Sequence, residues 1–271
     1  MKPLQDLLDT HPLQAPRGAK DERGSVLLAG GPAGCPGGVL LAAEAALRSG
    51  AGRLQLAVHP DVAAHVAVAA PETFVLPWEP RAPLSEEAQR CVEATDVTVI
   101  GPGYGDGLGD AAVALAERSG DRPVVLDAGA LEAAPALTGS RRLILAPNTD
   151  EAIELAGERA TEAELAVFLG GRLRHPLAVR GPTSVVTDGE GATWCYDGGG
   201  TGLGTPGSGD VLIGTLAALL ARGMAPVGEL GWAIALHGRA GEIIERTMPV
   251  GYLARDLVDR LPAAFVELGA P

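Results

Sequence analysis

The chain of 271 residues is 46% hydrophobic but only 3% aromatic, and it carries a formal net charge of −13. That much apolar material excludes a disordered chain and implies a sizeable core of Ala, Val and Leu; the acidic balance argues against nucleic-acid or anionic-membrane partners, which the overall field would repel, but leaves room for a local anion site. Cys35, Cys91 and Cys195 are odd in number, far apart and without CxxC spacing, so neither a disulfide framework nor a zinc site is expected and the cytoplasm is the default location.

In chain order, residues 1–23 carry acids and prolines where a signal peptide would be apolar. They read as a short lead-in hugging the surface, ahead of a single domain over 24–271. No run reaches the ~18 apolar residues of a membrane span. Short apolar runs then alternate with helical spacing: strand Ser25–Ala29, helix Val39–Ser49, strand Arg53–Val58, helices Pro60–Ala70 and Ser85–Glu93, strand Val97–Ile100 and helix Asp110–Arg118. Strands Val124–Leu126 and Leu143–Ala146 follow, then helices Asp150–Ala156 and Thr161–Arg172 and strand Leu177–Val179. Ser184–Thr187 and Thr193–Tyr196, split by Asp188-Gly189-Glu190-Gly191, read as a hairpin at one sheet edge. This β-α-β alternation predicts a mainly parallel sheet. From Ser208 onward, Asp210–Arg222, Glu229–Arg246 and Leu253–Leu261 read as helices with no strand between them, stacked on one face. No composition break divides the chain.

The richest segment for chemistry is the glycine run from Gly198 through Gly207-Ser208-Gly209-Asp210, which leads straight into a helix. Orphan N–H groups and the dipole at a helix start form an anion site, and glycines let a ligand come close. Asp210 would repel a phosphate there, which suggests a base or a partner for a substrate hydroxyl; a plain N-cap in a glycine-rich loop is the other reading. Gly101-Pro102-Gly103-Tyr104-Gly105 follows a strand, and Gly30–Gly38 lies between a strand and a helix, so three glycine loops converge on the carboxyl edge of the sheet, where open α/β sheets bind ligands. Neither a Walker loop nor a dinucleotide fingerprint is present. His237, in an apolar helix with small neighbours, reads as a core histidine bonded to backbone rather than a catalytic one.

Taken in order, GG-x(6)-GG-x(3)-A-x(3)-ALRSGAG, Pro71-Glu72, VIGPGYG, VVLDAGAL, LAPNTDEAIEL, VRGPTS, GTPGSGDVLIG, ALHGRAGE and VGYLARDLVDRLP resemble the ADP/ATP-dependent NAD(P)H-hydrate dehydratases, over roughly Gly24 to Pro262. GSGD before a helix is shared by many kinases of the fold; ALRSGAG, HGRAG and GYLARDL point more narrowly to the dehydratases. The resemblance implies a ribokinase-like three-layer α/β/α sandwich with a mainly parallel central sheet, an edge hairpin and C-terminal helices. It implies a hydro-lyase that repairs the (S) hydrate of NADH or NADPH, with ADP or ATP as co-substrate and Mg2+ on the phosphates. By position, Asp210 would be the catalytic base. Gly38, Gly103, Tyr104, Gly105, Asn148 and Asp210 would border the hydrate. Arg180, Gly181, Pro182, Thr183, Ser184, Thr205, Gly207, Ser208 and Gly209 would border the nucleotide, with the Gly207–Gly209 amides holding phosphoryl charge. A homo-oligomer is implied, and no epimerase domain fits in front of Gly24, so epimerisation of the hydrate would fall to a separate chain. The family's usual His is Asn148 here, its Lys is Arg180, the second Asp of its LDADAL is Gly129, its Asn-Pro turn is Gly200-Thr201, and Pro206 replaces a glycine. Two rivals remain at this point: a kinase of the same fold acting on a vitamin-precursor alcohol, and a catalytically impaired nucleotide-binding protein.

Overall fold

The computed structural model describes residues 1–16, 18–138, 143–223 and 225–270; the expected domain end at Pro271 lies outside them. The strands are β1 (Lys2–Pro3), β2 (Ser25–Ala29), β3 (Arg53–Val58), β4 (Phe74–Pro77), β5 (Val97–Ile100), β6 (Val124–Leu126), β7 (Leu143–Leu145), β8 (Leu177–Val179), β9 (Ser184–Thr187) and β10 (Thr193–Tyr196). The α-helices are α1 (Leu4–Thr10), α2 (Gly37–Arg48), α3 (Pro60–Ala69), α4 (Glu86–Ala94), α5 (Gly109–Ser119), α6 (Thr149–Ala156), α7 (Glu162–Leu173), α8 (Ser208–Leu220), α9 (Pro226–Glu245) and α10 (Ala254–Glu267). All ten strands join one sheet in the order β1-β10-β9-β8-β7-β6-β5-β2-β3-β4. From β4 through β8 every pairing is parallel; β9 runs antiparallel to both β8 and β10.

Successive side chains of a strand leave on opposite faces, and the central strands here feed two cores. Val26, Leu28, Val97, Val99, Val125 and Ile144 meet α2, α8, α9 and α10 on one face. Leu27, Ile100, Val124, Leu126, Leu143 and Leu145 meet α4, α5, α7 and the 3-10 stretch Ala128–Leu137 on the other. The result is the three-layer α/β/α sandwich of the ribokinase-like fold. Local signals set several helix starts: Ser85 accepts from the Ala88 amide, and Asn148 with Glu151 and Thr161 with Glu164 form reciprocal capping boxes.

The structure departs from the sequence reading in four places. The lead-in is built into the domain: β1 pairs with β10, and Leu4, Leu7 and Leu8 of α1 are buried beside α9. For that reason the β9–β10 hairpin is one strand in from the sheet edge. β4 had no clear pattern because it is a short outer strand with only Leu76 buried, and it ends in Pro77. Finally, α10 runs through Pro262 rather than stopping before it. An interior proline costs about 3 kcal/mol, and burial of Ala264 with the packing of Phe265 on the core opposes that cost.

Candidate active site

The site is assembled at the carboxyl ends of β2, β5, β6, β7 and β8, and α8 points its first turn into it. Gly207 adopts φ 87°, a left-handed conformation open to glycine, and α8 begins directly after it with no side chain capping its start. The Ser208 amide donates to the Thr205 carbonyl at 3.2 Å. Of the amides expected to hold phosphoryl charge, that of Ser208 is therefore occupied, and Gly209 carries a first-turn N–H without an intrahelical acceptor. On α9, His237 Nε2 lies 2.9 Å from Ser208 Oγ and 3.0 Å from the Ser208 carbonyl oxygen. Burial, then the charge of Arg180, pushes the imidazole down to about 4, so it is neutral and braces the helix start, in keeping with its reading as a core histidine.

Asp210 projects onto a floor of backbone. A β-carbon at Gly38 would stand 2.8 Å from Asp210 Oδ1 and 2.9 Å from the Gly103 nitrogen. The loops after β2 and β5 thus meet beneath the carboxylate, as their glycine content anticipates. Gly129 has a similar cause: a β-carbon there would come within 1.3 Å of the Gly105 carbonyl oxygen, so no side chain fits against that loop. Burial raises the Asp210 carboxyl to about 6, with Arg180 opposing the shift and Glu151 adding to it. Arg180 follows β8 and lies over the helix start, where a β-carbon on Gly209 would stand 2.6 Å from its Nη1. Its Nε donates to the Ala146 carbonyl at 2.5 Å, and its Nη2 is 3.5 Å from Glu151 Oε2 and 3.9 Å from Asp127 Oδ1.

Around these groups is a cavity of about 470 Å3, lined by Gly103, Tyr104, Gly105, Asn148, Arg180, Thr205 and Gly207 through Asp210, together with Asp127, Glu151 and Leu203. A second cavity of about 590 Å3 adjoins it across Asn148, Arg180, Leu203, Gly204 and Ser208. Gly181, Pro182 and Ser184 form one side of it and Leu212, Ile234, His237 and Gly238 contribute to the rest. Of the expected residues, Gly38 and Thr183 line neither cavity: Gly38 lies beneath the Asp210 carboxylate, and the Thr183 hydroxyl donates to Asp197 Oδ1 at 2.6 Å. Asn148 borders both, but its side chain is spent capping α6. A larger cleft, about 940 Å3 between α2 and α10, shares only Thr205 and Pro206 with the Asp210 cavity and lies outside the carboxylate cluster.

Two lining carboxylates were not singled out by the sequence reading. Asp127, 5% exposed, is the first residue after β6, and burial lifts its carboxyl to about 7; Arg180 opposes this, and Glu151 and Asp210 add to it. Glu151 serves the α6 cap and faces Arg180. The available signal was position: both follow the carboxyl end of a strand. Among the described residues no cluster of three or more Asp, Glu, His or Cys side chains could hold a metal ion by itself.

A family model described as NAD(P)H-hydrate dehydratase matches residues 26–263. The ADP-dependent (S)-NAD(P)H-hydrate dehydratase of Xanthomonas campestris pv. campestris is 38% identical, over 96% of this chain and 94% of that protein. A bifunctional NAD(P)H-hydrate repair enzyme of Moorella thermoacetica is 34% identical over 93% of this chain but 51% of its own length, so the chain spans about half of that relative. The ADP/ATP-dependent NAD(P)H-hydrate dehydratase of Bacillus subtilis, co-crystallised with ATP and Mg2+, superposes with a TM-score of 0.82 at 25% identity, covering 97% of this chain and 96% of its own.

Proposed function

The chain belongs to the NAD(P)H-hydrate dehydratase family, and from that premise we propose that it is an ADP-dependent (S)-NAD(P)H-hydrate dehydratase. In this reading it is a hydro-lyase that returns hydrated NADH or NADPH to the reduced cofactor while cleaving ADP, or ATP, to AMP, or ADP, and phosphate. The observation that carries it is Asp210: a raised carboxyl at the start of α8, over the Gly38–Gly103 floor and beside Arg180. The hydrated ring takes the 470 Å3 cavity and the adenine nucleotide the adjoining one, so that the terminal phosphoryl group sits at their shared wall of Arg180 and Ser208.

Asp210 accepts the proton of the C6 hydroxyl as that oxygen attacks the phosphoryl group. The Gly209 amide, the positive end of α8 and the Arg180 guanidinium face the oxygens on which charge grows. The apolar wall of Leu212 and Ile234 suits a base plane, and glycines such as Gly238 let it approach. Bound Mg2+ supplies charge neutralisation on the phosphates, and Glu151, at the rim beside Arg180, is placed to hold it through water. Phosphate then leaves and the ring double bond is restored.

We place this work in the cytoplasm, in a homo-oligomer. The free thiols of Cys35, Cys91 and Cys195 suit a reducing compartment, and exposed Val68, Phe74 and Leu253 offer apolar contact surface. The deciding experiment mixes the protein with hydrated NADH, Mg2+ and either ADP or ATP and follows the absorbance of the reduced cofactor. Recovery with release of phosphate is the expected result. Failure with both nucleotides overturns the reading, and phosphate retained on an organic product would make the protein a kinase of the same fold.

A further inference from the structure

Restoring the ring double bond removes two substituents, the oxygen on C6 and a hydrogen on C5. Asp210 accounts for the hydroxyl proton alone. Once it has taken that proton in phosphoryl transfer, it cannot accept another until the first has left. Resting on the dehydratase reading, we propose that Asp127 is a second catalytic base, which takes the C5 proton as the phosphorylated hydrate eliminates phosphate. In that step the C6–O bond breaks and its electron pair leaves with inorganic phosphate. The ring nitrogen lone pair assists the departure, the C5–H bond breaks, its proton passes to an Asp127 carboxylate oxygen, and its electron pair becomes the C5=C6 bond. No oxidant or further reactant is needed.

The geometry fits this division of labour. Asp127 lines the same cavity as Asp210 but enters it from the end of β6, whereas Asp210 enters from α8, so a ring bound there lies between proton acceptors on different walls. The Asp127 side chain is 7% exposed and has Arg180 Nη2 3.9 Å from Oδ1, a cation that favours its ionised form despite burial. Ala128 holds φ 47°, a left-handed conformation that costs a non-glycine residue energy and is retained where surrounding structure demands it. A carboxyl raised to about 7 is also matched to moving a proton near neutral pH. A purely structural Asp127 would serve only to fix Arg180, and the two roles make different predictions.

The test is a single-turnover reaction of Asp127→Asn with hydrated NADH, Mg2+ and ADP, reading AMP and reduced-cofactor absorbance in parallel. The expected result is that AMP forms at close to one equivalent per site while absorbance recovery slows by about 10²-fold or more, the cost of removing a general base. Asp210→Asn, by contrast, blocks AMP formation itself. If Asp127 only positions Arg180, both products fall together; that outcome, or absorbance recovery at the wild-type rate, overturns the proposal. Should the amide variant fail to fold, Asp127→Glu keeps the charge but shifts the carboxyl by one methylene: AMP running ahead of absorbance supports the proposal and parallel appearance overturns it. Wild-type protein that yields neither product instead sinks the dehydratase reading, so the two failures are distinguishable.

Discussion

Asp210 and Glu229 both sit in the first turn of a long helix, α8 and α9 respectively, and burial lifts both carboxyls, to about 6 and about 8. Their surroundings differ. Asp210 faces an open cavity with Arg180 and two further carboxylates, whereas Glu229 is fully buried, neither of its oxygens has a hydrogen-bond partner among the described residues, and the charge that opposes its shift is that of Arg222. A raised carboxyl by itself therefore does not mark a site. Space for a reactant in front of it, and groups converging on that space, do.

The contrast predicts that Asp210→Asn lowers turnover by about 10²-fold or more while Glu229→Gln leaves it unchanged. A comparable loss in both variants would break it. Next in size is Gly38→Ala. Its methyl group would meet Asp210 Oδ1 at 2.8 Å and the Gly103 backbone at 2.9 Å. Displacing the carboxylate by a fraction of an ångström should cost roughly 10- to 10²-fold in kcat/KM, measured by the same absorbance assay. Smaller again is the acid limb of the pH profile. A base acts when ionised, so kcat should fall as pH drops through about 6 to 7, the range of the coupled Asp210 and Asp127 carboxyls, and the limb should shift in Asp127→Asn.

The smallest effect is on stability. Folded Glu229 keeps its proton up to about 8, whereas an ordinary glutamate loses it near 4.5, so the folded state binds more protons between those values and stability falls as pH rises through that window. Glu229→Gln removes that loss and should raise the thermal midpoint at pH 8 by a few degrees relative to wild type, with little change at pH 4.5. Asp210→Asn should stabilise in the same direction, since Asp210 shares the sign of the shift; only there does the gain come with lost turnover. Thermal melts across pH 4.5 to 8 check both.

Most of the sheet was legible because its pattern is local. Runs such as Ser25–Ala29 and Val97–Ile100 are apolar on both faces and end in glycine, and the structure keeps those bounds. The helix start at Ser208–Asp210 and the glycine loops were likewise readable as backbone that meets at one edge of the sheet. The i, i+3, i+4 leucines Leu4, Leu7 and Leu8 carried a helical signal too, but only packing against α9 shows why those residues are internal. Asp127 and Glu151 look like any acid after a strand or in a helix start. The raised Asp127 carboxyl comes from its burial, and Arg180, which opposes that shift, is brought beside both acids by β8. Glu229 is the converse case, a surface-like residue in sequence that the fold encloses. Local composition determines which elements form and where backbone donors are exposed. The proton affinity of a side chain depends on the dielectric and the charges within a few ångströms of it, and chain crossings set those long after the sequence position is known.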